Sequence, residues 1–151
     1  MQKITTPTAE MSYYKDRYLR VEFTSDAKVE LEDIIKIHEA CEILTDGEKY
    51  LRVIVMNDNV ILSKEAKAYK AEREVYDKCI AEAMVIKSIG NKIAGNFYMN
   101  FNKLKVPTKL FSSEDKAINW LEDFLYLTVS NELETFEKQK VLLKYYLHPS
   151  A

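Results

Sequence analysis

Residues 106–121 read Val-Pro-Thr-Lys-Leu-Phe-Ser-Ser-Glu-Asp-Lys-Ala-Ile-Asn-Trp-Leu, and they predict a short strand that runs directly into a capped helix. Leu110 and Phe111 are typical of the strand, and Ser112 can accept a hydrogen bond from the unpaired amides of the first helical turn. Glu114 suits the positive end of that helix. The expected core-facing residues, at helical spacing, are Ala117, Trp120, Leu121 and Phe124.

The same succession of strand and helix occurs earlier in the chain. Residues 80–87 predict a strand, and a helix is expected after Ser88. Residues 50–56 are almost all apolar, which is typical of a central strand covered on both faces. Ser63 is a good N-cap for a charged helix, which we expect to end near Lys78.

Two further segments lie toward the start of the chain. Residues 18–23 alternate polar and apolar side chains, as a strand with one buried face does, and residues 27–30 are a candidate hairpin partner. Apolar residues recur at spacings of three and four over residues 31–44, which predicts the first helix. Strands that alternate with helices in this way indicate an α/β fold with a mostly parallel sheet, here after an N-terminal antiparallel hairpin.

We expect one domain over residues 1–128, with its core at about residues 18–125, and a C-terminal helical extension of that domain over residues 129–151. The end of this extension is apolar on nearly all sides, and its candidate contact residues are Tyr145, Tyr146 and Leu147. A helix of this kind must bury more than one face. The sequence therefore predicts docking across the domain or self-association, and we favour a homodimer.

Composition argues against several classes of protein. The chain has 22 Lys and Arg against 24 Asp and Glu, with the signs interspersed, so no positive field attracts nucleic acid. It has no apolar run of the roughly 20 residues that cross a bilayer, and residues 1–10 lack a secretory signal, so we expect a cytoplasmic protein without a transmembrane segment. Cys41 and Cys79 lack CxxC spacing, which favours reduced core thiols over a disulfide.

The predicted order β-β-α-β-α-β-α-β-α resembles the STAS fold. The segments that carry the resemblance are the strand at residues 51–56, which leads through Asp58 to Ser63, and the closing unit that begins at Phe111 and Ser112. More narrowly, the chain resembles the SpoIIAA-like proteins, small bacterial relatives of anti-sigma factor antagonists. This resemblance implies a domain that acts by binding a regulatory protein.

In anti-sigma factor antagonists, the helix after the central strand opens with Asp-Ser-Ser-Gly, and a partner kinase phosphorylates a serine of this motif. The matching residues here are Leu62, Ser63, Lys64 and Glu65, so Leu62 replaces the Asp and Glu65 replaces the Gly. The resemblance implies a phospho-acceptor or partner-docking position at Ser63 or Lys64, depending on the alignment. Judged by residue type alone, Ser63 is more typical of a helix cap.

Asp58 has two interpretations as well. It follows a central strand, at the edge where open α/β sheets bind ligands, so it is a candidate docking residue. Asp also favours turns because its side chain bonds to nearby backbone, and we prefer this interpretation.

A cleft between helices is the alternative functional hypothesis. Its candidate lining residues are Tyr69, Tyr76, Phe97, Tyr98 and Phe101. Such a cleft would make the protein a carrier of an apolar small molecule or lipid, although packing of the core explains the same aromatic residues.

Catalytic and metal-binding motifs are missing from the sequence. His38, Cys41 and Glu42 share one helix face, but no further ligands accompany them, so we predict no metal site. The three glycines form no nucleophile elbow, P-loop or dinucleotide-binding pattern. We therefore predict a non-enzymatic interaction module without a cofactor.

Overall fold

The structure, a computed structural model, describes residues 1–73, 78–88 and 106–125. Its strands are β1 (Gln2–Thr5), β2 (Ala9–Tyr14), β3 (Tyr18–Phe23), β4 (Lys28–Val29), β5 (Tyr50–Met56), β6 (Ile61–Leu62), β7 (Cys79–Ile86) and β8 (Thr108–Phe111). Its helices are α1 (Leu31–Thr45), α2 (Lys64–Arg73) and α3 (Glu114–Glu122).

Six strands form one mixed sheet in the order β1-β2-β3-β5-β7-β8, and β4 and β6 form a separate two-stranded ladder. The pairs β1–β2 and β2–β3 are antiparallel, whereas β3–β5, β5–β7 and β7–β8 are parallel. The predicted α/β fold with a mostly parallel sheet and an antiparallel N-terminal hairpin is confirmed. The parallel strands share a carboxyl edge, where β3, β5, β7 and β8 end.

The partner predicted for the N-terminal hairpin is wrong. Strand β3 pairs with β2, upstream of it, with Ala9 opposite Phe23 and Tyr14 opposite Tyr18. The segment predicted as its partner contains β4, which instead pairs in parallel with β6. The cause is the turn before β4, where Asp26 has a left-handed backbone (φ 65°) and donates its N–H to the carbonyl of Asp58, 2.8 Å away.

Helices cover both faces of the sheet. Tyr50 and Ile54 of β5 pack in a core with residues of α1 and α2, while Val53 and Val55 pack with Ala117 and Leu121 of α3. This alternation explains why β5 is apolar throughout, because each face of the strand meets a different helical layer. The prediction of a central strand covered on both faces is confirmed.

Helices α1 and α3 begin almost where the sequence predicted. At α1, Glu30 and Asp33 form a capping box. At α3 the predicted cap is wrong by one residue, because Ser113, not Ser112, accepts a hydrogen bond from the N–H of Lys116. Ser112 follows the last residue of β8 and is exposed.

Two predicted segments, the helix after Ser88 and the extension at residues 129–151, lie outside the described residues. Both segments therefore stay predictions. Of the helices in the described part of the chain, none combines the length and the apolar character needed to span a bilayer.

Candidate functional site

The ladder of β4 and β6 supports the surface where α1 and α2 begin. Lys28 lies opposite Ile61, and Val29 opposite Leu62. The backbone N–H of Ile61 donates to the carbonyl of Ala27 (3.0 Å), and that of Ser63 donates to the carbonyl of Val29 (2.9 Å). These bonds fix the start of α2 beside the start of α1. We call the surface formed by Leu31, Asp58, Ile61, Ser63 and Lys64 the α2-start surface.

The turn that carries Asp58 is held by neighbouring amides. Asn57 donates from its side chain to the carbonyl of Phe23 (2.8 Å), and Asn59 donates from its side chain to a carboxylate oxygen of Asp26 (2.9 Å). Asn59 adopts a left-handed backbone with φ 59°, which Asn tolerates better than most residues. The Asp58 side chain is exposed at the carboxyl edge of the sheet, so it is open to a partner while its backbone serves the turn.

Ser63 caps α2. Its hydroxyl accepts a hydrogen bond from the N–H of Ala66 (3.1 Å), and its carbonyl accepts one from the N–H of Lys67 (3.0 Å). The side chain is half-buried, whereas Lys64 and Lys67 are exposed. The structure thus confirms the capping interpretation of Ser63, and two exposed lysines belong to the first helical turn that it caps.

An exposed isoleucine was missed by the sequence reasoning. Ile61 has 61% of its surface exposed, and Leu31, the first residue of α1, has 37% exposed. Val60 and Leu62, on either side of Ile61, are buried and half-buried. Alternate residues of a strand point to opposite faces, which could have indicated that Ile61 is exposed. A strand of two residues is too short for this alternation to be recognised in the sequence.

A polar cluster lies near the same edge, on the face covered by α3. The Arg20 guanidinium contacts the carboxylates of Glu114 and, at 2.9 Å, Glu22. Burial opposes ionisation of Glu22, but hydrogen bonds from Asn57 and Arg20 outweigh it and lower the pKa of its carboxyl. The cluster ties the start of α3 to β3 and to the turn after β5. Its charges therefore satisfy one another, which indicates a structural role.

Charged side chains are also buried beneath α2. Glu82 of β7 is fully buried and contacts Arg52 of β5 at 2.8 Å and Lys70 of α2 at 3.2 Å. Of this set, only Arg52 stood out in the sequence, as the one charged residue of an apolar strand. The network fixes α2 against the sheet and so holds the α2-start surface in place.

Only one of the residues proposed for an aromatic cleft lies in the described part of the chain. Tyr69 is half-buried, with its ring centroid 5.4 Å from that of His38 on α1. The other cleft candidates, Tyr76, Phe97, Tyr98 and Phe101, lie outside the described residues, as do the contact candidates Tyr145, Tyr146 and Leu147. The aromatic cleft therefore stays a prediction.

The histidine face considered for a metal does not form a ligand set. His38 and Cys41 are buried, whereas Glu42 is exposed and pairs with Arg73 at 2.8 Å. Within residues 1–73, 78–88 and 106–125, no group of three or more His, Cys, Asp or Glu residues is arranged to hold a metal ion. His38 packs in the core instead.

Comparison with known proteins gives a family and a fold. The family described as "Domain of unknown function (DUF7793)" matches residues 12–125. A solved structure from Shewanella loihica PV-4, an uncharacterised protein of the DUF3478 family with a SpoIIAA-like fold, is 17% identical in sequence. The alignment covers 75% of this chain and 91% of that one, with a TM-score of 0.53. No match was found among curated proteins.

Proposed function

This chain belongs to the family of unknown function DUF7793 and has a SpoIIAA-like fold, and from that premise we propose that it is a non-enzymatic module that binds a regulatory protein through the α2-start surface. At 17% sequence identity, the similarity to the solved structure shows the fold only, and that protein is itself uncharacterised. The function is therefore argued from this chain's own surface.

The main support for the proposal is the position of the exposed Ile61, on a strand fixed by the β4–β6 ladder and next to the N-cap of α2. A large apolar side chain that is 61% exposed contributes little to the core, but it is well suited to the centre of an interface. Charged residues, Asp58 and Lys64, lie in the same surface, as they do in the rim of typical interfaces. The ladder of β4 and β6 fixes the backbone here, so little conformational entropy is lost on binding.

The test is an interaction assay with a matched pair of variants. Immobilised full-length chain is incubated with lysate of the native cell, and the retained proteins are quantified for the wild type, Ile61→Glu and Ile43→Glu. Ile43 is an equally apolar control, 70% exposed near the end of α1 and outside the α2-start surface. We expect Ile61→Glu to lose a partner that the wild type and Ile43→Glu both retain. Retention of the same proteins by Ile61→Glu would contradict the proposal.

Ser63 is the proposed switch of this surface. A phosphate on its hydroxyl would lie at the positive end of α2 beside Lys64 and Lys67, where helix amides and lysines stabilise negative charge. Ser63→Asp should change the affinity for the captured partner while the melting temperature barely moves, because Asp also caps helices well. Equal partner affinity of the wild type and Ser63→Asp, measured by titration, would remove the switch.

A further inference from the structure

A cavity opens at the edge of the sheet opposite the α2-start surface. Its volume is about 630 Å³, within the range typical of sites for small organic molecules. It lies where β3 and β5 begin, between the turn that joins β2 to β3 and the loop that joins α1 to β5. Asp16 and Asp46 hold these two connections in left-handed backbone conformations (φ 63° and 51°), so the loops that form the walls are tight.

The inner lining of the cavity is aromatic and aliphatic. Leu44, Tyr50 and Leu51 are buried, with 5%, 6% and 1% of their surfaces exposed. The half-buried rings of Tyr13 and Tyr18 add to the same lining. Such a floor favours an apolar or aromatic group of a ligand, since both burial of apolar surface and ring stacking stabilise it.

Charged side chains of both signs line the mouth. They are three exposed carboxylates and two exposed lysines, namely Asp16, Asp46, Glu48, Lys15 and Lys49. Although they lie close together, none of the five forms an ion pair with any residue in the described ranges 1–73, 78–88 and 106–125. Two further positive groups line the cavity, the N-terminal ammonium of Met1 and the guanidinium of Arg17, which is turned toward Glu122, 3.8 Å away. The mouth therefore offers both carboxylates and ammonium groups to a ligand.

Two of the carboxylates, Asp16 and Glu48, act electrostatically on Tyr13. Burial raises the pKa of the Tyr13 hydroxyl, and the negative charges of Asp16 and Glu48 raise it further, while a hydrogen bond from the backbone of Asp16 lowers it in part. Asp16 and Glu48 come from the two opposite loops, so the cavity has a carboxylate on each of its two walls. A cationic group would be stabilised at this end.

We propose that this cavity binds a zwitterionic, amphipathic small molecule of the amino-acid or short-peptide class. The ammonium group of the ligand lies against Asp16 and Glu48, its carboxylate faces Lys15 and Lys49, and its apolar side chain packs on the tyrosine floor. The site is independent of the proposed partner surface, because the two lie at opposite edges of the sheet.

The experiment titrates the full chain with the dipeptide Leu-Phe and two derivatives of it, N-acetyl-Leu-Phe and Leu-Phe amide, each of which lacks one charge. Amide chemical shifts in NMR report both the affinity and the place of binding. We expect saturable shifts at residues 13–18 and 44–51 and none at residues 58–64. Leu-Phe should bind about threefold to tenfold more tightly than either derivative, because a solvent-facing ion pair contributes modestly.

Variants then assign the charges. Glu48→Gln should lower the affinity for Leu-Phe to that for N-acetyl-Leu-Phe and leave the affinity for the acetylated peptide unchanged. The control Glu39→Gln, an exposed carboxylate of α1 outside the cavity, should change neither affinity. The proposal is overturned if none of the three peptides saturates, if all three bind equally, or if the shifts fall outside the cavity. It is also overturned if Glu48→Gln lowers the affinity for Leu-Phe and the affinity for N-acetyl-Leu-Phe by the same factor.

Discussion

The carboxylate of Glu82 is completely buried and lies between the positive charges of Arg52 and Lys70. One of its oxygens lies 2.8 Å from Arg52 and the other 3.2 Å from Lys70, and the side chain is 0% exposed. Burial opposes ionisation of Glu82, but Arg52 and Lys70 outweigh it and lower the pKa of the carboxyl to about 2. The residue is therefore charged in the folded protein at neutral pH, and it links α2 to two central strands.

Replacing Glu82 with Gln should destabilise the fold strongly. The amide keeps the size of the side chain but leaves Arg52 and Lys70 without its negative charge, a change that costs roughly 3–5 kcal/mol in buried ion pairs. Urea unfolding at neutral pH measures the loss. Glu72→Gln is the matched control, since Glu72 is exposed on the same helix, α2, and should change the free energy of unfolding by less than about 0.5 kcal/mol. Equal stability of the two variants would contradict the role assigned to Glu82.

The same carboxylate predicts how stability depends on pH. Its pKa is about 2 in the folded protein against an ordinary value of 4.5, so the unfolded chain takes up a proton first as the pH falls. Glu82 therefore contributes stability above about pH 4.5, and this contribution is lost as the pH falls toward 2. Urea unfolding at pH 7, 5, 4 and 3 should show a decline that is shallower in Glu82→Gln. Parallel curves for the two proteins would contradict this assignment.

At the scale of elements, the sequence predicts best those strands and helices whose burial leaves a clear apolar pattern along the chain. The strand at residues 50–56 is predicted from its almost continuous apolar run, and the helix starting at residue 31 from apolar residues at spacings of three and four. Strand β1 was missed because it is a short edge strand with only Ile4 apolar. The β4–β6 ladder was missed because two-residue strands depend on pairing between residues distant in sequence, which local pattern cannot reveal.

In the candidate site too, the features set by local sequence were predicted and those set by distant segments were not. Ser63 was predicted as a cap because capping is a local property of residue type, and its hydroxyl does accept from the N–H of Ala66. The exposure of Ile61 depends on which face of the ladder points outward, and that is set by the remote segment containing Lys28. The cavity was not predicted, since its walls come from loops about 30 residues apart.

The start of α3 offers a direct test of the corrected cap. Ser113→Ala removes the acceptor for the N–H of Lys116 and should lower the free energy of unfolding by about 0.5–1 kcal/mol. Ser112→Ala changes the neighbouring serine, which is exposed and follows β8, and should have almost no effect. Thermal or urea unfolding of the two variants distinguishes them. A larger loss in Ser112→Ala would return the cap to the residue that the sequence predicted.

On the scale of the whole molecule, the sheet separates two surfaces. The α2-start surface lies at the carboxyl edge of the parallel strands, and the cavity lies at the amino edge. Helix α1 connects them, since it begins at Leu31 beside the ladder and its last turn, with Leu44 and Thr45, lines the cavity. The proposed partner surface and the proposed small-molecule site therefore do not overlap.

The chain beyond residue 125 is expected to determine the oligomeric state. Residues 141–147 are apolar apart from Lys144, and a helix that is apolar on all sides leaves a large exposed patch unless it is covered. Light scattering should therefore give the full chain the mass of a homodimer, and deletion of residues 130–151 should give a monomer. If the deletion instead unfolds the protein, as judged by circular dichroism, Tyr146→Lys in the full chain tests the same contact with one substitution. A truncated chain that remains a folded, soluble dimer would show that the interface lies elsewhere, because the apolar patch would then have no part in holding the two copies together.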